Sequence, residues 1–169
     1  MAALIDDLLG LARITKAKIH RKRVDLTELA RTVLAEIEAR DPGHKVASHV
    51  ADGLRVEADP GLVTVILENL LGNAWKFTAK KSEPRIEVGQ QQQGTKMIFL
   101  VRDNGAGFEM EHAGRLFAPF QRLHLEAEFP GTGIGLATVQ RIVSRHDGRV
   151  WAEAASGRGA TFFFTLGGA

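Results

Sequence analysis

The largely apolar run LVTVILENLLGNAWKF, residues 62–77, carries Asn69, Asn73 and Lys76 among its few polar side chains. Asn69, Asn73 and Lys76 follow the spacing i, i+4, i+7, which puts them on one face of a helix. Amides and an ammonium on a mostly buried helix are costly unless something pairs with them. An amide oxygen is a hard ligand and can hold Mg²⁺, which keeps waters and phosphates in its shell. Lys76 can then meet a phosphate. Glu68 and Gly72 lie beside this face, and Gly72 keeps it shallow. The spacing alone serves equally well for polar groups that hydrogen-bond within the fold.

Two glycine-rich strings follow, DNGAGF at 103–108 and GTGIGLA at 131–137. Neither is a standard phosphate motif. The chain has no GxxxxGK[ST], and G-x-G-x-G is not the dinucleotide spacing G-x-G-x-x-G. Asp103 ends the apolar run MIFLV and offers a carboxylate acceptor there. Gly105 and Gly107 permit positive φ and close backbone approach. Taken alone, the string is also an ordinary Asp-Asn-Gly turn. Gly131, Gly133 and Gly135 run into a helix start, where unpaired N–H groups favour an anion.

The elements that position these residues read as follows. Residues 3–19 form a helix with Leu4, Leu8 and Leu11 on one face, Ile5, Leu9 and Ala12 beside them, and Ile14 extending the stripe. That stripe asks for a partner. The charged run KAKIHRKR follows, then VDL as a short strand. Thr27 or Asp25 caps a second helix over 27–39, stopped by Asp41-Pro42-Gly43. HKVASHVA and LRVEA alternate across Asp52-Gly53, which predicts a hairpin. Asp59-Pro60 opens the long helix that carries Asn69. RIEVGQQ and KMIFLVRD are strands joined by a Gln- and Gly-rich tip. Residues 109–130 show weak periodicity and read as a loop. A helix over 134–146 and the strands GRVWAEAA and ATFFFTL close the chain. This order predicts an α+β fold, a mixed sheet covered by helices on one face, with a boundary near residue 22.

The 169 residues suit one domain with a real core. A net charge of +2 with interspersed signs argues against a dedicated nucleic-acid binder. There is no cysteine, hence no disulfide and no thiolate metal site, which suits a cytoplasmic location. No apolar run is long enough to span a bilayer, and the N-terminus lacks a basic n-region.

In order, ENLLGNAWKFT, DNGAGF, LFAPFQRLH and GTGIGLA resemble the N, G1, F and G2 boxes of sensor histidine kinases. That family belongs to an ATPase superfamily shared with gyrase and the ninety-kilodalton heat-shock chaperones. The resemblance covers residues 23–166 and is nearest to PAS- or phytochrome-linked bacterial kinases. It implies a two-layer α/β sandwich, the Bergerat ATP-binding fold, which binds ATP with Mg²⁺ between the helices and a lid. It implies that Asn73 coordinates the metal, Asn69 supports metal or phosphates, and Lys76 meets phosphate. Asp103 would accept the adenine amine, favouring ATP over GTP, and Gly105 and Gly107 would admit the base. Gly131, Gly133 and Gly135, with Thr132 and Leu136, would cradle the nucleotide as the lid closes. Arg122 matches the basic F-box residue and would reach the γ-phosphate. Phe117 and Phe120 would anchor the lid. Glu68 would either help activate the acceptor imidazole or make a structural hydrogen bond. Pro130 departs from the pattern and stiffens the lid hinge; Asp147-Gly148 stands where relatives carry two glycines.

A histidine kinase also needs an acceptor histidine, in a motif like S-H-E-L-R-T-P-L. None of the six histidines, 20, 44, 49, 112, 124 and 146, has such neighbours. Residues 1–22 resemble the end of the second helix of the dimerisation and phosphotransfer hairpin, so the expected division is 1–22 and 23–169, a partial coiled-coil-type helix before the catalytic domain. The acceptor would then lie on the missing first helix, the full-length protein would be a homodimer, and a response regulator would take the phosphoryl group. Two rivals stand beside this reading. One is an ATP-binding regulatory module without kinase activity of its own. The other is an ATP hydrolase of the gyrase or chaperone type. Such a hydrolase needs a carboxylate base four residues before the metal asparagine, and here that residue is the amide Asn69.

Overall fold

The computed structural model describes residues 2–119 and 133–167. In chain order its elements are α1 (Ala2–Lys16), β1 (Lys22–Asp25), α2 (Leu26–Arg40), β2 (Ala47–Val50), β3 (Arg55–Ala58) and α3 (Pro60–Phe77). Then come β4 (Arg85–Gln93), β5 (Lys96–Asp103), a 3₁₀ helix (Met110–Arg115), α4 (Gly135–Arg145), β6 (Val150–Ala155) and β7 (Gly159–Phe164). Five strands form one mixed sheet in the order β2-β4-β5-β7-β6, and β1 and β3 form a separate pair.

Alternation along the strands sorts the sheet into two faces. Ile86, Val88, Phe99, Val101, Phe162 and Phe164 join the core with the apolar sides of α2, α3 and α4. Ile98, Leu100 and Phe163 point the other way, where no helix among the described residues covers them; Trp151 stacks on Phe163 at 5.4 Å. The expected helices on one face of a mixed sheet are what the chain forms.

The expected hairpin of HKVASHVA with LRVEA does not form. Asp52-Gly53 does turn, with Gly53 at φ 73°, yet the two strands leave for different partners. β2 pairs parallel with β4, and β3 pairs antiparallel with β1. The start of α2 separates them. Leu26 N–H donates to the Leu54 carbonyl at 2.9 Å. The buried Thr27 hydroxyl donates to the Ala51 carbonyl at 2.8 Å and accepts Leu54 N–H at 2.9 Å. Alternation identifies a strand but not its neighbour. Thr27→Val leaves a buried N–H and a carbonyl unpaired, an expected cost of about 2 kcal/mol. Thermal unfolding would read this as a midpoint lower by roughly 5 °C; an unchanged midpoint would show the hydroxyl to be dispensable.

Asp25 rather than Thr27 caps α2, accepting Glu28 N–H at 3.0 Å. Asp59 caps α3, accepting Gly61 and Leu62 N–H at 3.0 and 3.2 Å, with Pro60 in the first turn. Burial alone would raise the Asp59 carboxyl, but the N–H groups of His20, Leu62 and Gly61 hold it below the usual carboxylate range. Val63, Ile66, Leu67, Leu70 and Leu71 are all but inaccessible. Each such side chain contributes about 2 kcal/mol, so the apolar side of α3 fixes the helix and its other side is left for polar residues. Trp75 closes the far end of α3: its Nε1–H donates to Asp41 Oδ2 at 3.1 Å, and the His44 ring meets it edge-on at 5.3 Å.

α1 ends three residues earlier than its periodicity suggests. Its last turn is docked. Ile14 is 8% exposed and joins the core, and Arg145 donates to the Ile14 carbonyl at 2.6 Å. Ile5 and Leu9 remain 56% and 51% exposed, so most of the apolar stripe is uncovered within the chain. The segment expected to be a loop after residue 109 contains the 3₁₀ helix, pinned where Met110 Sδ accepts Ala154 N–H at 3.2 Å.

Candidate functional site

The α3 face carries Asn69, Asn73 and Lys76, all half-buried. The two asparagines are in different situations. Asn69 Nδ2 donates to the Val65 carbonyl one turn back, at 2.9 Å. Its Oδ1 points at Gly135, where an added Cβ would lie only 2.7 Å from it. The Asn73 side chain makes no hydrogen bond among the described residues. The Lys76 ammonium lies 4.8 Å from the centre of the Phe77 ring. Glu68 is exposed and sits apart, lining a cleft of about 270 Å³ with Ile37, Arg40, Asp41 and Gly72. That cleft faces the end of α2.

Asp103 ends β5 beside the other end of α3. It is 7% exposed, and its Oδ1 accepts Gly105 N–H at 2.8 Å. Burial pushes its carboxyl up, hydrogen bonds from Gly105 and Ala160 partly offset this, and the result is a pKa of about 6. Asn104 fastens the loop: its Oδ1 accepts Arg85 N–H and its Nδ2 donates to the Glu83 carbonyl, each at 2.8 Å. A buried acceptor with a perturbed pKa in such a setting marks a binding-site candidate on physical grounds.

The fold itself uses the glycines of DNGAGF. A Cβ on Gly105 would collide with the Phe77 carbonyl, and one on Gly107, at φ 63°, with the Ala155 and Gly159 carbonyls. Ala106 N–H donates to the Phe77 carbonyl at 3.0 Å, and Gly157 N–H to the Ala106 carbonyl at 2.6 Å. The loop is thus wedged between the end of α3 and the β6–β7 turn by backbone against backbone. This wedge brings Asp103 next to the Asn73 and Lys76 end of α3.

Of the second glycine string, Gly133 (φ 80°), Ile134, Gly135 and Leu136 are described. Ile134 is fully buried and Leu136 packs against the core. α4 starts without a side-chain cap, so its first N–H groups lack intrahelical partners. Phe117, expected to anchor the lid, meets the Phe162 ring edge-on at 6.3 Å. Phe120, Arg122, Pro130, Gly131 and Thr132 lie outside the described residues.

Sequence reasoning missed the role of His146. It is fully buried at the end of α4. Its Nε2 accepts Asp59 N–H at 3.1 Å, and its Nδ1 faces the Ile142 carbonyl at 2.8 Å. An N–H needs an acceptor and a carbonyl needs a donor, so the partners assign the proton to Nδ1. This ring joins the end of α4 to the start of α3, and so sets the two site helices against each other. The available signal was a histidine closing an amphipathic helix just before Asp147, which adopts φ 57°.

A sequence profile described as "Histidine kinase-, DNA gyrase B-, and HSP90-like ATPase" matches residues 58–168. The chain is 34% identical over 166 residues to the phytochrome-like protein Cph1 of Synechocystis sp., covering 98% of this chain and 22% of that protein. Among solved structures, full-length ShkA in complex with AMPPNP is similar at a TM-score of 0.79 and 29% identity, over 96% of this chain and 35% of that one. The catalytic domain of histidine kinase ThkA is similar at 0.71 and 26%, over 87% of this chain and 97% of that one. The chain spans about a fifth of the length of the curated relatives it matches.

Proposed function

The chain belongs to the histidine kinase-, DNA gyrase B- and HSP90-like ATPase family, and from that premise we propose that it is the ATP-binding catalytic domain of a two-component sensor histidine kinase. The observation that carries this reading is the buried Asp103 carboxylate beside the α3 face of Asn73 and Lys76. Asp103 accepts the exocyclic amine of adenine. Guanine presents a carbonyl at that position, and two acceptors facing each other in a buried site repel.

The phosphates then extend along α3. Asn73, half-buried and with no side-chain hydrogen bond among the described residues, offers an amide oxygen suited to Mg²⁺. Among the described residues no cluster of three His, Cys, Asp or Glu could hold a metal; the nucleotide's phosphates and water would supply ligands beside Asn73. When bound, Mg²⁺ neutralises charge on the transferring phosphoryl group. Lys76 contributes positive charge, and the uncapped start of α4 presents N–H groups to the phosphates. By their positions in the motifs, Arg122, Gly131, Thr132, Gly133 and Leu136 are the residues proposed to serve the phosphates, and Phe120 the residue proposed to contact the nucleotide. Asn69 is an amide and cannot take a proton from water, which disfavours a hydrolase of the gyrase or chaperone type.

The phosphoryl acceptor is a histidine outside these residues, because none of the six here has acceptor neighbours. Residues 1–22 are the end of the second dimerisation helix, and 23–169 the catalytic domain. The uncovered Ile5, Leu8 and Leu9 of α1 support that division and a homodimer formed through the hairpin. A response regulator is the downstream partner, in the cytoplasm where ATP is available. No described helix is long and apolar enough to cross a membrane.

Calorimetric titration tests the proposal. Mg²⁺–ATP should bind saturably and Mg²⁺–GTP at least about a hundredfold more weakly, in line with the discrimination of polar base-edge contacts. Equal affinity for the two nucleotides would remove Asp103 from the base site.

A further inference from the structure

Asn104 stands between Asp103 and Gly105, but its side chain is turned to the chain at 83–85. We infer that Asn104 is a positioning residue for base selection: it fixes the turn that aims the Asp103 carboxylate at the purine edge. The inference deepens the nucleotide-binding reading above and rests on it.

Three hydrogen bonds hold Asn104 to the start of β4. Its backbone N–H donates to the Arg85 carbonyl at 3.3 Å. Its Oδ1 accepts Arg85 N–H, and its Nδ2 donates to the Glu83 carbonyl, each at 2.8 Å. An N–H on one side and a carbonyl on the other leave a single orientation for the amide. Ile86 and Asp103 are the last paired residues at this end of β4 and β5. In the next rung of an antiparallel ladder, Arg85 N–H would go to the backbone carbonyl of Asn104. The side-chain oxygen takes that place, so the backbone leaves the sheet at a fixed point.

The turn at the carboxylate follows at once. Asp103 Oδ1 accepts Gly105 N–H at 2.8 Å, closing a turn with Asn104 at its centre. The direction of that N–H depends on the backbone dihedral angles of Asn104. Ala106 N–H then reaches the Phe77 carbonyl at 3.0 Å, at the end of α3. With Asn104 anchored, the carboxylate is held in one direction. Without the anchor, the glycine after it leaves several turns open. Glu83 and Arg85 are exposed, so water replaces the lost amide and the fold survives its removal.

The test is titration with Mg²⁺–ATP and Mg²⁺–GTP, together with hydrogen exchange of the Gly105 amide in the nucleotide-free chain. Asn104→Ala should weaken ATP about tenfold, the scale of one misaligned polar contact. GTP, which lacks the bond to Asp103, should bind as before, so the preference for ATP narrows by the same factor. Gly105 exchange should speed. Because Asn104 acts through Asp103, Asn104→Ala should cost nothing further in an Asp103→Asn background. Thr27→Val, which weakens the fold away from the site, should leave the preference unchanged. The inference is overturned if Asn104→Ala keeps the full preference for ATP, if Gly105 exchange does not change, or if the two substitutions add. An unaltered chain with no preference for ATP over GTP would sink the base-site reading, and this inference with it; Gly105 exchange separates that outcome from a failure of the anchor.

Discussion

Asp103→Asn is expected to weaken Mg²⁺–ATP binding by about a hundredfold, the upper range for losing a hydrogen bond to a charged group. The side chain stays the same size, so this loss is electronic. Asp103 Oδ1 is already engaged by Gly105 N–H. In the variant that oxygen stays engaged and the amide nitrogen turns to the ligand. A donor then faces the donating amine of adenine. The pH dependence follows the same group. With its pKa at about 6, the carboxyl is ionised at neutral pH and becomes protonated on mild acidification. ATP affinity should therefore be level above neutrality and fall below pH 6, while the variant stays uniformly weak. Affinity of the unaltered chain that is flat down to pH 5 would argue against this carboxylate as the adenine acceptor.

The same substitution acts on stability in the opposite sense. The folded pKa is raised from 3.8 to about 6, so folding favours the protonated form. That contribution is fully present below about pH 4 and is lost as pH rises through 6. The shift is about two units, roughly 3 kcal/mol at neutral pH. Asp103→Asn removes this pH dependence. The nucleotide-free variant should therefore gain on the unaltered chain as pH is raised from 4.5 to 7.5, as read by thermal unfolding. Parallel curves for the two proteins would show that burial does not hold the carboxyl as described. An acceptor kept at the expense of stability is what a binding site requires of a scaffold.

The second large effect is on folding. Gly107→Ala is expected to cost about 4 kcal/mol, combining a left-handed backbone with a collision against fixed carbonyls. For a chain of this size that lowers the unfolding midpoint by roughly 10 °C. Gly157 is the control. Its φ is also positive, at 78°, but a Cβ there would meet nothing within 4 Å. Gly157→Ala should cost only the backbone strain, about 1 kcal/mol. Equal losses at the two positions would mean that conformation, not the wedge against Ala155 and Gly159, dominates.

Much of this was legible in the sequence because the signals are local. Asp59-Pro60 starts α3 where capping chemistry puts it, and the apolar alternation of β4, β5, β6 and β7 identifies each as a strand. The boundaries of α2 and α4 fell within a residue or two. What escaped depends on distant partners. β2 and β3 look like a hairpin from their own residues, and only Thr27 and Leu26, on another element, send them apart. The glycines of DNGAGF signal close approach, yet the sequence does not say whether ligand or protein approaches. In the fold, the Phe77, Ala155 and Gly159 carbonyls fill those spaces. Asn69 and Asn73 are indistinguishable by spacing; the difference lies in Gly135, more than sixty residues away, and in the direction of one amide. His146 carries no chemistry-bearing pattern around it, and its importance appears only where Asp59 meets it.

The chain also carries its own optical reporters. It contains two tryptophans, and the sheet separates them. Trp75 lies between Asn73 and Lys76 in sequence, 7% exposed and in contact with the His44 ring. Trp151 lies on the opposite face, half-buried against Phe163. Trp151→Phe leaves a single emitter in the helical layer, on the side of α3 turned to Asp41, and Trp75→Phe leaves one on the open face of the sheet. Loosening of the helical layer and of the open sheet face can then be followed at separate fluorophores without attaching a dye.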